Sequence, residues 1–168
     1  MKVSIKRTIT IKIKELISKI VLLILYRGFK IVYKYDDTVK EEIDNLKENF
    51  TIEIKLYKNG PSLKLIKRKN GLYKVKKEIY NSNIWIIFKS IDSAFLVLTG
   101  RQGISRAYAE HRFALKGEIS KAMSLVRMID ILEAYLFPKF ITQNILKKQP
   151  VKKLNLFNTY LSILCDYR

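Results

Sequence analysis

Two Asn-Gly pairs constrain this chain more than any other feature. Asn59-Gly60 and Asn70-Gly71 each stand between short runs in which apolar and polar residues alternate, and Asn-Gly is the pair that most readily adopts the positive φ angles of a tight strand reversal. Phe50, Ile52, Ile54 and Leu56 alternate with Thr51, Glu53, Lys55 and Tyr57. Lys58-Asn59-Gly60-Pro61 turns the chain, Leu63 and Leu65 continue the alternation, and Lys69-Asn70-Gly71 turns it again before Tyr73-Lys74-Val75. A period of two gives strands with one buried and one wet face. Turns this short join antiparallel neighbours, so residues 50–75 predict a meander. Ile84 to Phe88, nearly all apolar, reads as a fourth strand, and Arg112-Phe113-Ala114-Leu115-Lys116, stopped by Gly117, as a fifth.

The rest of the chain is helical in pattern. Asp36 to Asn49 reads as a surface helix: Asp36, Asp37 and the Thr38-x-x-Glu41 capping pattern open it, and Val39, Ile43, Leu46 and Phe50 recur at helical spacing. Ser90 caps a helix carrying Ile91, Phe95 and Leu98 that ends at Gly100, and a short helix follows over 104–110. From Glu118 to Tyr135 the polar residues Glu118, Lys121, Ser124, Arg127, Asp130 and Glu133 recur every third position. At ~100° per residue that stripe winds around the helix, which leaves both sides substantially apolar. The apolar partner of the second side is another helix of the same chain, a subunit or a lipid ligand. Phe137-Pro138 ends the element, and Phe140, Ile141 and Ile145 form a short helix able to cover it. Lys147, Lys148, Lys152 and Lys153 around Pro150 read as a linker to a final amphipathic piece with Leu154, Phe157, Leu161 and Leu164.

At 168 residues the chain is one domain with short extensions, large enough to bury roughly 70% of its unfolded surface. One Cys, Cys165, and one His, His111, exclude an internal disulfide framework and a Cys/His zinc site. No cofactor is implied. His111 sits between Glu110 and Arg112 with no Ser or Cys tied to it by a motif, Cys165 lies near the C-terminus, and Asp36-Asp37 with Glu41-Glu42 are accounted for by the helix dipole. Nothing reads as an enzyme. The most apolar run, Ile20 to Tyr26, is followed by Arg27 and lacks a cleavage site, and it is far short of the ~20 residues that span a bilayer. The chain therefore reads as cytoplasmic. Residues 9–33 form either a helix packed on the domain or a helix lying on a membrane surface, with lysines reaching lipid phosphates. The net charge of +18 suits an anionic partner: nucleic acid, a membrane surface or a phosphorylated ligand. A compositional excess of Lys is the alternative source of that charge. Gly100-Arg101-Gln102-Gly103 is the sharpest local motif, and a Gly-x-x-Gly turn between helices is how KH domains clamp an RNA backbone. It is equally what a tight helix–helix corner requires.

Residues ~50–135 together resemble the sterol-carrier-protein, or nonspecific lipid-transfer, family. The resemblance is carried by the strand Ile84-Trp85-Ile86-Ile87-Phe88 running into Lys89-Ser90-Ile91-Asp92-Ser93-Ala94-Phe95, by Leu98-Thr99-Gly100, and by Arg112 to Gly117 followed by Glu118 and a long apolar helix. It implies an α+β fold, a five-stranded, mostly antiparallel sheet with helices on one face, and an apolar tunnel between them for a fatty-acyl chain, sterol or phospholipid. It also implies no catalytic residues. The organisation expected is a basic helical extension over 1–35, the sterol-carrier-like domain over 36–146, and a Lys-rich linker with a short helix over 147–168. The extensions depart from the family pattern. Candidate tunnel residues are Ile84, Ile86, Phe88, Phe95, Leu98, Phe113, Leu115, Met123, Val126 and Ile129, ordinary core packing being the other role of each. A lipid ligand and an anionic membrane surface stand ahead of RNA and of a homodimer as partners. Residues 55–77 hold nine basic residues and no acidic one, a coat around an oily interior.

Overall fold

The computed structural model describes residues 2–75, 82–146, 149–150 and 152–165, with side chains from Thr8 onward. Lys76 and Lys77 of the basic run, and Lys147 and Lys148 of the tail, lie outside the described residues. The five strands are β1 (Thr51–Lys55), β2 (Ser62–Arg68), β3 (Gly71–Lys74), β4 (Ile84–Phe88) and β5 (Phe113–Gly117). They form one sheet in the order β3-β2-β1-β4-β5. Both Asn-Gly pairs lie in the reversals of the expected antiparallel meander of β1, β2 and β3, but of their four residues only Gly71 has a positive φ, at 122°; the first reversal runs over 56–61 with no positive φ at Asn59 or Gly60. β5 is antiparallel to β4, while β4 runs parallel to β1, which makes the sheet mixed but mostly antiparallel.

Registry builds the core face. Ile52 pairs with both Leu65 and Ile84, and Ile54 with Leu63 and Ile86. The row ends at Leu115 opposite Ile86, and Phe88 meets Phe113 edge to face at 5.4 Å. The opposite face is partly open. There Trp85 has the ammonium groups of Lys55 and Lys116 at 4.9 and 5.8 Å from its ring centre. Glu53, expected on a wet face, is only 2% exposed, because Lys55 and Lys64 close over it at 3.6 and 3.9 Å.

Seven helices complete the described residues: α1 (Lys2–Tyr35), α2 (Asp37–Asp44), α3 (Ile91–Leu98), α4 (Ile104–Ala109), α5 (Ile119–Leu136), α6 (Lys139–Ile145) and α7 (Leu156–Cys165). Asp36 caps α2, its carboxylate accepting the Val39 N–H at 3.1 Å. The Thr38-x-x-Glu41 pattern is therefore not the cap, and the helix closes at Asp44, five residues before the expected Asn49. Asp36 also accepts the Tyr135 hydroxyl at 3.2 Å, an interaction that fixes the cap and that local sequence does not contain. Ser90 caps α3 as expected.

α1 belongs to the core as well as extending from it. Leu22, Leu25, Phe29 and Val32, spaced 3-4-3, are buried in the same cluster as the sheet, and α1 packs against α2, α3, α5, α7, β2 and β3. Gly28 permits a close crossing: a Cβ there would stand 2.7 Å from Leu132 Cδ1 of α5. The second apolar side of α5 is thus covered from within the chain, by α1 and α7. The short helix 139–145 is not the main cover, since its Phe140 points outward at 69% exposure.

Candidate functional site

The layer between sheet and helices holds an apolar cavity of about 30 Å³, room for one or two waters. Ile54, Ile86 and Phe88 line it from the sheet, Val97, Leu98 and Ile104 from α3 and α4, and Ile129, Leu132, Glu133 and Leu136 from α5. Val21 and Leu25 of α1 and Phe137 close it. Four of the ten candidate residues, Ile86, Phe88, Leu98 and Ile129, meet in this lining. Ile84, Phe113 and Val126 are buried elsewhere in the core, and Leu115 is packed against it. Phe95 is half-buried, with Lys14 at 5.8 Å and Arg101 at 5.4 Å from its ring centre. Met123 is 38% exposed, so it lies outside the cavity: it falls on the side of α5 that Ser124 and Arg127 carry toward Glu42 of α2.

The winding polar stripe of α5 explains how an acid entered this lining. Three-residue steps carry Glu118 and Arg127 to solvent, take Ser124 to a 2.5 Å hydrogen bond with Glu42, and bring Glu133 around to the side of Ile129 and Leu136. Glu133 is 5% exposed, and its Oε2 has no hydrogen-bond partner among the described residues. Burial pushes its carboxyl well above the usual range, and Asp130, one turn earlier, pushes it the same way. Asp130 is itself raised by burial, against a 2.9 Å hydrogen bond donated by the Ser105 hydroxyl. On the other side of this pair an open groove of about 500 Å³ runs between α4, α5 and α6, lined by Ser105, Arg106, Asp130 and Asn144 among others. Glu133, Val21 and Leu25 were not candidates from sequence. The stripe's return to the apolar side was the available signal for Glu133.

The Gly100–Gly103 loop is a helix corner. The N–H groups of Arg101 and Gln102 both donate to Leu96 O, and that of Gly100 to Val97 O, so the amides a phosphate clamp needs are already engaged at the end of α3. Gly103 lies against α6, where a Cβ would come within 2.2 Å of Ile145 O. Gly100, at φ +68°, faces Ile141 and Phe137.

The outer half of α1 carries a second feature. Ile9, Ile13, Leu16, Ile20 and Leu23 follow a 4-3-4-3 spacing, which places them on one line of the helix, opposite the line of Ser18, Leu22 and Leu25 that packs inward. Ile9, Ile13, Leu16 and Ile20 are 51–60% exposed. The inward face is clamped by Lys14 to Asp92 at 2.5 Å and by Glu15, which accepts the Tyr57 hydroxyl at 3.0 Å. α1 holds nine basic residues and one acidic. α7 packs on α1 and α5 with Thr159 and Ile163 buried, leaving Phe157, Leu161 and Leu164 exposed. Of the apolar positions read in the tail, Leu154 packs against the core, and the other three face outward, against expectation. Polar anchors set the orientation: Tyr160 donates to Leu136 O at 2.7 Å and Lys152 to Ala134 O at 2.6 Å.

His111 is exposed in a left-handed turn at φ 54°, and Cys165 is exposed at the end of α7. Among the described residues no three His, Cys, Asp or Glu side chains are grouped to hold a metal ion, and no helix is long and apolar enough to cross a membrane.

No protein family and no curated protein matches the sequence. Among solved structures the chain is similar to SCP2-domain proteins. One is a protein described as "UbiJ-SCP2 Ubiquinone synthesis protein", at 15% identity and a TM-score of 0.49, over 72% of this chain and 99% of that one. Another is sterol carrier protein 2 of Yarrowia lipolytica in its apo form, at 19% identity and a TM-score of 0.46, over 71% of this chain and 91% of that one.

Proposed function

We propose that this protein binds a hydrophobic ligand, an acyl chain, a sterol or a phospholipid, between its sheet and helices without catalysing a reaction, and that it does so at anionic membrane surfaces. The observation that carries the ligand reading is the cavity: eleven apolar side chains from the sheet and from α1, α3, α4 and α5, with Phe137 beyond the end of α5, converge on unfilled space. Burying an acyl chain gains ~0.8 kcal/mol per methylene, so a dozen methylenes supply on the order of 10 kcal/mol before ordering costs, with no polar motif required. At about 30 Å³ the space admits the end of such a ligand. Its body needs the α1 side chains Val21 and Leu25 to move aside. α1 contributes no strand to the sheet, so these two side chains can shift without breaking a strand pairing.

The exposed stripe of α1 supports the membrane part. Five aliphatic side chains on one face of a helix whose net charge is +8 match an interfacial helix, apolar side toward the acyl boundary and lysines toward phosphate. Two copies pairing through this stripe would bring +8 against +8, so charge favours lipid over self-association. The ligand reading is tested by native mass spectrometry and solvent extraction of the purified protein, with displacement of the neutral dye N-phenyl-1-naphthylamine by 1-dodecanol. Absence of both co-purifying lipid and dye displacement overturns it. The membrane reading is tested by co-sedimentation with phosphatidylcholine vesicles containing about 30% phosphatidylserine, where each well-placed Lys contributes ~1 kcal/mol. Binding that is absent, or equal on uncharged vesicles, overturns that part, as does a dimer that dissociates when Leu16 and Ile20 are changed to Ser.

A further inference from the structure

Twelve of the thirteen residues lining the cavity are apolar, and the thirteenth is Glu133. A purely structural cavity wall gains nothing from a carboxyl group, since burying one without a partner is a cost that a leucine at the same place avoids. The side chain is 5% exposed and its Oε2 has no partner among the described residues. No Lys, Arg or His lines the cavity, so nothing there neutralises an anion. Burial and the nearby Asp130 raise the carboxyl well above its ordinary range and so favour its protonated form, which presents one O–H donor and an acceptor oxygen.

We propose that Glu133 is the polar anchor of the ligand site: it hydrogen-bonds an uncharged oxygen, a hydroxyl or a carbonyl, at the end of an otherwise apolar molecule and disfavours a free carboxylate. The inference rests on the hydrophobic-ligand reading above and narrows it to neutral oxygenated lipids. Size agrees with it. The about 30 Å³ beside Glu133 holds one or two waters, and a hydroxyl or carbonyl group displaces a volume of that order. A carboxylate placed there would be desolvated with no counter-ion, facing an acid one turn from Asp130. Val21 and Phe137, the two half-buried members of the lining, mark where the ligand's apolar body leaves toward solvent.

The test uses the full chain loaded with N-phenyl-1-naphthylamine and displaced by 1-dodecanol or by dodecanoate at pH 7. Wild-type protein is expected to prefer the alcohol about tenfold, the worth of one buried hydrogen bond. Glu133→Leu is expected to bind the alcohol about tenfold more weakly than wild type, and Glu133→Gln, which keeps a donor and an acceptor, to bind it within about threefold of wild type. Equal affinities for alcohol and carboxylate in the wild type, or an unchanged alcohol affinity in Glu133→Leu, overturn the anchor while leaving the ligand reading intact. Failure of both probes to displace the dye overturns the ligand reading and the anchor with it. The wild-type comparison needs no variant, so a folding defect in Glu133→Leu does not protect the proposal.

Discussion

Replacing Leu25 by Ala, beside the same change at Leu16, divides α1 into its two roles. Leu25 is 6% exposed and lines the cavity with Val21, whereas Leu16 is 60% exposed on the opposite line of the same helix. Leu25→Ala removes three buried carbons, about 2.4 kcal/mol at ~0.8 kcal/mol per methylene. The vacated space adjoins a cavity already about 30 Å³ in size and cannot fully collapse, which adds roughly 1 kcal/mol, for a total of about 3–4 kcal/mol. For a chain of 168 residues each kcal/mol moves Tm by roughly 2–4 °C, so the melting temperature should fall by about 10 °C. Leu16→Ala should stay within about 0.5 kcal/mol of wild type, as solvent-facing substitutions do. Urea titrations read both values directly, and the enlarged cavity should take up benzene, seen as a thermal shift in Leu25→Ala alone. A loss below about 1 kcal/mol at Leu25 would refute the placement of α1 in the core, and with it the role of Leu25 in the cavity wall.

Three further outcomes follow from the geometry. Because Glu133 has its carboxyl raised well above the ordinary 4.5, the folded chain holds a proton there that the unfolded chain releases, so this residue's contribution to stability falls as pH rises from that ordinary value toward the folded one. The titratable neighbour is Asp130 on the same helix, and every cavity-lining residue from the other elements is apolar. Urea unfolding of Glu133→Gln between pH 4 and 8 should lose that slope relative to wild type, and Glu133→Leu should gain about 1–2 kcal/mol at neutral pH. Gly103→Ala should lose about 1–3 kcal/mol by overpacking, since the new methyl would meet the backbone oxygen of Ile145 at 2.2 Å; unchanged stability with lost RNA affinity would instead restore the phosphate-clamp role. Glu42→Ala should cost about 1–2 kcal/mol by releasing the Ser124 hydroxyl and the Arg127 guanidinium, which join α2 to α5 at 2.5 and 2.7 Å, measured as a change in urea midpoint.

Local signals in the sequence determined the elements. Two Asn-Gly turns with alternating neighbours set a meander, Ser90 set a cap, and the three-residue polar spacing of 118–133 set a helix with two apolar sides. These depend on contacts within a few residues, where φ preference and side-chain period act directly. Tertiary structure decided what periodicity leaves open. The parallel pairing of β4 with β1 joins residues more than thirty positions apart, and no local pattern distinguishes it from an antiparallel return. The two lines of α1 are similar in spacing and in oil content, yet one is buried and the other is not, because only one faces α3 and the sheet. α7 turned its longer apolar face outward because hydrogen bonds from Tyr160 and Lys152 hold it to the end of α5. In the sequence Glu133 is one more polar position in a winding stripe. Its burial follows from what α1, α3 and the sheet place around it, and that burial is what raises its carboxyl well above the ordinary range.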